Sequence, residues 1–235
     1  MNESLSKILD AHGGLDLWRS LSSLDVEMSA RGFLFTVKRI TPQRHARLTI
    51  STREPHVVLH DYPAHGQSAV VHGGTRVEIR NADGAVVEAR DNPREAFRHG
   101  RLLRWDAIDF AYFSGYAMWN YLNLPFLLAD PGVTVTESDQ RTAGTRLQVR
   151  YPDTIPTHSP TQELYFDQSG RLLRHDYTAE VVGNWAKAAH LCRDYRQFGG
   201  LWVPTTRRVY PRGPGNRPLP LPTLVAVDVH DVQPR

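Results

Sequence analysis

The chain has 235 residues, of which 40% are hydrophobic and 23% are charged. This composition is that of a folded globular protein and excludes a largely disordered chain. The length fits one domain, so we expect a single domain over residues 1–235. The net charge of +3 comes mostly from arginines that are interleaved with acidic residues, and this scatter argues against a nucleic-acid partner.

The N-terminus and the cysteine content indicate a compartment. The chain opens with neither a basic segment nor an apolar segment followed by a cleavage site. Cys192 is the only cysteine, which rules out an intrachain disulfide and fits a reducing environment. We therefore expect a cytoplasmic protein.

The first part of the chain is predicted to form a helix and then a series of antiparallel strands. Residues 3–20 carry apolar side chains at the helical period, with an interruption at Gly13 and Gly14. From Ser22 the apolar period changes to two, as in half-buried strands. Predicted strands cover residues 22–30, 33–37, 46–50, 57–60, 68–72, 76–80 and 85–89.

A helical insertion over residues 93–129 interrupts the strand pattern. Asn92 followed by Pro93 is typical of a helix start, and a short helix is predicted to about residue 99. A longer helix is predicted from about residue 102 to residue 124, where Pro125 ends it.

Residues 110–129 of this insertion contain no formal charge. The length suits a membrane span, but Ser114, Asn120 and Pro125 favour a buried helix instead. We expect no membrane span. Seven residues of the segment are aromatic: Phe110, Tyr112, Phe113, Tyr116, Trp119, Tyr121 and Phe126.

Strands resume after the insertion, and their number predicts the fold class. The predicted strands cover residues 133–137, 145–151, 163–166, 171–182, 188–198, 201–210 and 223–232. About eleven twisted strands in total will curl into a barrel or a half-barrel. We predict an α+β protein, mostly antiparallel, in which a curved half-barrel carries an N-terminal helix and the central aromatic helix covers its concave face.

Two parts of the chain resemble a known family. The opening Ala11-His-Gly-Gly-Leu15, followed by Leu24-Asp-Val-Glu-Met28, resembles the start of proteins of the LolA/LppX superfamily of bacterial lipoprotein carriers. Residues 164–177 and 195–204 resemble the C-terminal half of those proteins. The resemblance implies an open half-barrel with helices across its concave side, and a cavity that binds acyl chains or other apolar molecules.

The resemblance leaves two uses of the fold open. Carriers of this type are exported, whereas this chain shows no export signal at its start. VioE-type enzymes are similar in fold and cytoplasmic, and they use the cavity as an active site without a cofactor. The chain matches no motif of those enzymes.

The aromatic helix supplies most of the predicted ligand-binding residues. Aromatic walls with a few polar groups suit planar or apolar ligands. The same side chains could instead fill the inside of the half-barrel, since closing a curved sheet requires bulky residues. The predicted ligand-binding residues are Trp105, Tyr112, Phe113, Trp119 and Asn120 on the helix, with Tyr177 and Arg207 on the strands.

Five residues are candidates for acid–base chemistry. Burial beside aromatic residues would raise the pKa of Asp109 and suit it to proton transfer, although an acidic residue in a first turn is also favoured by the helix dipole. Strand alternation places His175 on the inner face, and a pair with Asp194 on the adjoining strand is possible. The candidate catalytic residues are His175, Asp109, Tyr116, His190 and Asp194.

No cofactor or metal is predicted. The chain lacks a glycine-rich nucleotide loop, and its histidines lack the spacing of metal ligands on a helix. The first hypothesis is therefore a protein that binds an apolar or aromatic small molecule between helix and sheet. The second is a cofactor-independent cyclase, lyase or isomerase that acts on an aromatic or polyketide-like substrate. The third is a filled fold that acts through a partner protein, and the oligomeric state stays open.

Overall fold

Thirteen antiparallel strands build one curved sheet in the computed structural model, which describes residues 3–99, 101, 103–138 and 144–235. Their order across the sheet is β6-β5-β4-β3-β2-β1-β13-β12-β11-β10-β9-β8-β7. The strands are β1 (Ser23–Arg31), β2 (Gln43–Ser51), β3 (His56–His60), β4 (Ser68–His72), β5 (Arg76–Arg80), β6 (Val86–Asp91), β7 (Thr134–Ser138), β8 (Thr145–Arg150), β9 (Thr161–Phe166), β10 (Leu172–Thr178), β11 (Lys187–Phe198), β12 (Leu201–Pro211) and β13 (Val225–Pro234).

One long-range pairing determines this order. Strands that follow each other in the chain pair with each other, except for β6 and β7, and β1 also pairs with β13. The strands β6 and β7 are consecutive along the chain but lie at opposite edges of the sheet. The segment that joins them therefore has to cross from one edge to the other.

The joining segment crosses as the helix α4 (Ala107–Asn123). Asp106 caps it, because its side chain accepts a hydrogen bond from the Asp109 N–H, and the Asp109 side chain accepts one from the Asp106 N–H. Every residue from Ile108 to Asn123 is buried. The helix packs against β2 to β5, and its Tyr121 carbonyl accepts a hydrogen bond from Arg207 of β12 at 2.9 Å. It therefore contacts both halves of the sheet.

The predicted opening helix is two helices, α1 (Glu3–Asp10) and α2 (Leu15–Ser20). Gly13 and Gly14 separate them with φ angles of 123° and 86°, a backbone conformation that favours glycine. Trp18 of α2 stacks on Phe126, with 4.3 Å between ring centroids. These helices close the end of the sheet at which α4 terminates.

The predicted strand over residues 33–37 is wrong, because the chain there forms the helix α3 (Phe33–Lys38). β1 already pairs with β2 on one side and with β13 on the other, so no edge is free for a further strand. Gly32, with φ of 144°, turns the chain out of the sheet. Phe35 then packs on Phe110 of α4, with 5.4 Å between ring centroids.

The predicted antiparallel α+β architecture is confirmed, with thirteen strands where about eleven were expected. The predicted short helix is a 3-10 helix, Pro93–His99. The predicted start of the long helix at residue 102 lies outside the described residues, and α4 begins at Ala107. Among the described helices, none is both long and apolar enough to cross a membrane.

Replacing Gly115 of α4 with alanine is expected to destabilise the protein by about 1–3 kcal/mol, although alanine is the better helix former. A Cβ at this position would lie 2.8 Å from Cγ2 of Val71 on β4. Valine is stiff and cannot move its branches far. Urea denaturation of the variant measures the loss.

The matched control is Gly74→Ala, where the nearest atom to an added Cβ is a side-chain carbon at 3.9 Å. That variant should unfold like the parent. Adding Val71→Ala to Gly115→Ala should cost less than the sum of the two single changes, because the smaller side chain removes the clash. Additive losses would show that α4 does not approach β4 this closely.

Candidate functional site

A chain of hydrogen-bonded tyrosines and histidine lies between α4 and β10. The Tyr116 hydroxyl is 3.0 Å from Nδ1 of His158, and the Tyr121 hydroxyl is 2.8 Å from Nε2 of the same ring. The Tyr121 hydroxyl is also 2.8 Å from that of Tyr177. The imidazole of His158 stacks on the Tyr177 ring, with 4.0 Å between centroids.

All four side chains are buried, and this determines their charge. Burial lowers the pKa of His158 well below its ordinary value of 6.5. Burial raises the pKa of Tyr116 and Tyr177 well above 10. These hydrogen-bonded tyrosine and histidine side chains are therefore neutral near pH 7. A neutral imidazole has one donor and one acceptor nitrogen, so His158 can pass a proton between the two hydroxyls that it contacts.

A pair of histidines lies beside these hydrogen-bonded side chains. His175 of β10 and His190 of β11 are direct cross-strand partners, with 5.9 Å between ring centroids. Nε2 of His175 contacts the Gln162 carboxamide oxygen, whereas Nδ1 of His175 and both nitrogens of His190 have no hydrogen-bond partner among the described residues. Burial, with a smaller effect of Arg207, lowers the pKa of His175 to about 3.

Arg207 of β12 is buried next to these histidines. Its Nη2 donates to the Tyr121 carbonyl at 2.9 Å, and its Nη1 is 3.5 Å from Sγ of Cys192. Its Nε has no acceptor within the described part of the chain. Burial raises the pKa of the Cys192 thiol, so neither of the two acceptors carries a formal negative charge at neutral pH.

An apolar cavity of about 450 Å³ opens beside the tyrosine–histidine chain. Phe113 of α4, His158 and Tyr177 form its inner wall, and α3 forms the opposite wall. Small side chains on the sheet, including Ala179 and Ala188, leave the space open. The mouth is formed by Phe33, Leu103 and Trp185, which are 51%, 71% and 74% exposed.

A second cavity, of about 550 Å³, has charged side chains in its lining, among them Arg94, Arg98 and Glu180. Its Arg94 already donates to the carbonyls of Thr157 and His158, and to Glu180 at 2.8 Å. Tyr112 reaches this cavity and not the apolar one. The apolar cavity is therefore the better candidate for a ligand-binding site.

The predicted ligand-binding residues divide into two groups. Phe113 and Tyr177 line the apolar cavity. The other predicted residues are used in packing or hydrogen bonding: the indole N–H of Trp119 donates to the Ser51 carbonyl at 2.9 Å, and the Asn120 amide donates to the Pro156 carbonyl at 2.7 Å. Trp105 is covered by Lys38, whose Nζ lies 5.3 Å from the ring centroid. Tyr112 lines the second cavity, and Arg207 is buried next to His175 and His190.

Three predicted catalytic residues come together, and two do not. Tyr116, His175 and His190 belong to the buried cluster described above. Asp109 is buried at the start of α4, where Arg90 and Arg101 bind its carboxylate at 2.7 and 3.0 Å. Burial, with the nearby Asp106 carboxylate, raises the pKa of Asp109, but the side chain is held in a capping and ion-pair network.

Asp194 does not pair with either histidine. Asp194 is exposed, whereas His175 and His190 are buried. Its φ of 55° is a left-handed backbone inside β11, although the register on either side is unbroken, with Arg193 opposite Thr206 and Tyr195 opposite Pro204. The predicted alternation along β11 fails at this residue for that reason.

Three residues of the site, His158, Tyr121 and Gln162, were not predicted from the sequence. His158 lies in the loop between β8 and β9, between Pro156 and Pro160, where no strand or helix period applies. The only local signal is that three prolines stiffen this loop. Tyr121 belongs to the aromatic run but was not among the predicted ligand-binding residues.

Comparisons with known proteins give the fold. No protein-family model matches the chain, and no curated protein sequence does. A LolA superfamily protein from Nitrosomonas europaea aligns over 97% of this chain and 92% of its own, with a TM-score of 0.53 and 12% identity. A DUF1329 family protein from Desulfovibrio piger aligns over 98% of this chain and 91% of its own, with a TM-score of 0.51 and 12% identity. The chain therefore has a LolA-like fold.

The free energy of unfolding is expected to fall steeply as the pH is lowered from about 7 to about 5. The folded-state pKa of His12 is lowered to about 4, that of His175 to about 3, and those of His158 and His190 lie well below 6.5. The unfolded chain therefore binds protons first as the pH falls through 6.5, and stability is lost in that window. Urea titrations at a series of pH values measure the slope.

Replacing His190 with phenylalanine should lower by about one the number of protons that the protein takes up when it unfolds below pH 6.5. The ring of His190 contacts Tyr121, Tyr177 and His175 and lies near Arg207, so no carboxylate among its contacts masks the effect. The control is His65→Gln, which changes a histidine whose side chain is 98% exposed. An unchanged slope in His190→Phe would contradict the neutral, buried state of this residue.

Proposed function

We propose that this LolA-like protein binds an apolar or aromatic small molecule in the cavity between α3, Phe113 and the strands β10 to β12. The observation that carries the proposal is the open apolar cavity of about 450 Å³, which lies in the usual range of ligand sites of about 300–1,000 Å³. Large apolar side chains at its mouth are exposed, and such surfaces are typical of binding sites.

The position of the cavity differs from the one expected from the sequence. The helix α4 is buried along its length and fills the space between itself and the sheet. The cavity lies beside the helix, where α3 leaves the sheet and where alanines replace larger side chains on the strands. The helix contributes Phe113 to the wall.

Polar groups at the inner wall would orient a ligand bound in the cavity. His158 and Tyr177 face an otherwise apolar space, and their hydrogen-bonding atoms are held by Tyr121. Few polar groups in an apolar site position a ligand rather than drive its binding. The single cysteine supports a cytoplasmic setting for this ligand.

Filling the cavity is expected to abolish binding of an apolar probe. The variant is Ala186→Trp, which places a large side chain at a partly buried position of the wall. Titration with the neutral dye N-phenyl-naphthylamine should show fluorescence enhancement with the parent protein, and affinity lower by about tenfold or more with the variant.

The matched control is Ala85→Trp, an exposed position distant from the cavity lining. It should bind the dye like the parent. Native mass spectrometry of the purified protein should also show an apolar molecule carried from the cell. If the parent binds no dye and carries no molecule, the exposed apolar rim serves a partner protein instead, and the proposal is wrong.

The second candidate is a cofactor-independent enzyme that acts on an aromatic or polyketide-like substrate, as a cyclase, lyase or isomerase. The specific observation in its favour is that His158 lines the cavity and contacts the hydroxyls of Tyr116 and Tyr121. A neutral imidazole between two hydroxyls can take a proton from a substrate and return it elsewhere. Asp109 is bound by Arg90 and Arg101, and Asp194 is exposed, so we assign neither of them a part in this role.

The enzyme candidate is tested with His158→Gln. Parent and variant are incubated with a small-molecule extract of the source cells, and the extracts are compared by mass spectrometry. A compound consumed by the parent, but not by a variant that still binds the dye, supports catalysis by His158. Identical extracts before and after incubation with the parent would argue against an enzyme.

A further inference from the structure

The inner face of the sheet changes from apolar to cationic within two steps along the strands. Tyr177, Ala188 and Pro211 form one cross-strand row at the apolar cavity. The next row on this face is His175, His190 and Val209, of which Val209 still lines the cavity. The row after it contains Cys192 and Arg207. Rows on the same face are about 7 Å apart, so Arg207 lies just beyond the inner end of the cavity.

The charge of Arg207 is not balanced by its protein contacts. The residue is 2% exposed, and a guanidinium stays charged at every accessible pH. Its two hydrogen bonds go to a backbone carbonyl and to a thiol. A guanidinium has five N–H donors, so these two bonds leave three, including the buried Nε–H. A buried charge without a counter-charge is costly, and an anion would offset that cost.

A second donor is directed to the same region. His190 is fully buried and both of its nitrogens lack a partner among the described residues, so one N–H is available in either tautomer. His175 is different, because its Nε2–H donates to Gln162 and leaves Nδ1 as an acceptor. The rings of His190 and Tyr121 lie 4.4 Å apart, and the guanidinium of Arg207 lies 5.3 Å from the centroid of the same Tyr121 ring.

We infer that Arg207 and His190 form a subsite for a carboxylate, and that the ligand of this protein is an amphipathic acid with an apolar body in the cavity. The inference rests on the proposed binding function and adds the chemical class of the ligand. One guanidinium balances one negative charge, and its planar donors match a carboxylate. A doubly charged phosphate would keep an unbalanced charge in a site whose histidines are neutral.

Three buried side chains form the wall between cavity and subsite, and the inference requires them to rotate when the acid binds. Tyr121, Tyr177 and His158 separate the two spaces and are joined by hydrogen bonds between their polar ends. A carboxylate that reaches Arg207 passes this wall. The hydroxyl of Tyr177 or Tyr121 then provides a further donor to the acid.

The test compares dodecanoic acid with dodecanol, two probes that share one apolar chain and differ in the head group. Binding of each, below its critical micelle concentration, is measured by displacement of N-phenyl-naphthylamine. The parent should bind the acid at least about tenfold more tightly than the alcohol, as expected for a charged hydrogen bond. Arg207→Gln should remove this preference, because the acid loses its charged donor and then binds no more tightly than dodecanol.

The matched control is Arg208→Gln, the same change at the next residue of β12. The side chain of Arg208 lies on the opposite face, where its Nη2 is 2.5 Å from the Asp228 carboxylate. This variant should keep the preference for the acid. Equal affinities for acid and alcohol in the parent, or an unchanged preference in Arg207→Gln, would overturn the inference while the binding function stands. If the parent binds neither probe nor dye, the binding function itself fails.

A second measurement does not depend on a variant that folds. Dodecanoic acid labelled isotopically at its carboxyl carbon is bound to the parent protein, and its carboxyl signal is followed by NMR from about pH 8 to about pH 6, before most of the expected loss of stability. A neighbouring guanidinium should keep the bound acid a carboxylate throughout this range. An apolar site without a cation would raise the carboxyl pKa, and a carboxyl that becomes protonated within this range would contradict the subsite.

Discussion

The pairing of β1 with β13 is the constraint on which the rest of the molecule depends. It joins the two series of strands at the centre of the sheet and leaves β6 and β7 at opposite edges. The segment between these strands must then travel across the sheet, and water is excluded along its path. A buried segment has to satisfy its own backbone hydrogen bonds, and a helix does so. The uncharged aromatic sequence of residues 110–129 follows from this position.

Burial of α4 has consequences for the polar groups that it carries. Tyr116 and Tyr121 cannot leave their hydroxyls unpaired inside the protein without a cost in stability. The loop between β8 and β9 supplies His158, which pairs with both. The result is a neutral hydrogen-bonded chain of side chains at the wall of the cavity. The same chain separates the apolar space from the buried cation of Arg207.

The cavity exists because the sheet and α4 do not fit together everywhere. Where α3 leaves the sheet, small residues such as Ala179 and Ala188 replace the bulky side chains that fill the rest of the interior. The exposed apolar rim, the apolar walls and the cationic inner end then follow one another along a single direction. This order of environments is the basis for assigning an amphipathic ligand to the protein.

The candidate site shows which parts of the molecule a sequence can predict. Strand alternation placed His175 on the inner face of β10, because side-chain direction in a regular strand depends only on local geometry. The same reasoning failed at Asp194, since a left-handed backbone with φ of 55° interrupts the regular geometry of β11 at that residue. His158 lies in a loop, and a loop residue has no period from which its position can be read. Its contacts with α4 depend on residues distant in sequence.

The sequence by itself determined the antiparallel strands and the buried aromatic helix, because these follow from the period of apolar residues. The LolA-like class of fold was implied by the resemblance of short segments to that superfamily. Only the tertiary structure decided that α3 is a helix, since both edges of β1 are already occupied. It also decided that the cavity lies beside α4 and that Arg207 is buried one cross-strand row beyond the part of the sheet that lines it. The cavities and buried charges of a protein depend on contacts between side chains that are distant in sequence, and local patterns in a single sequence do not reveal those contacts.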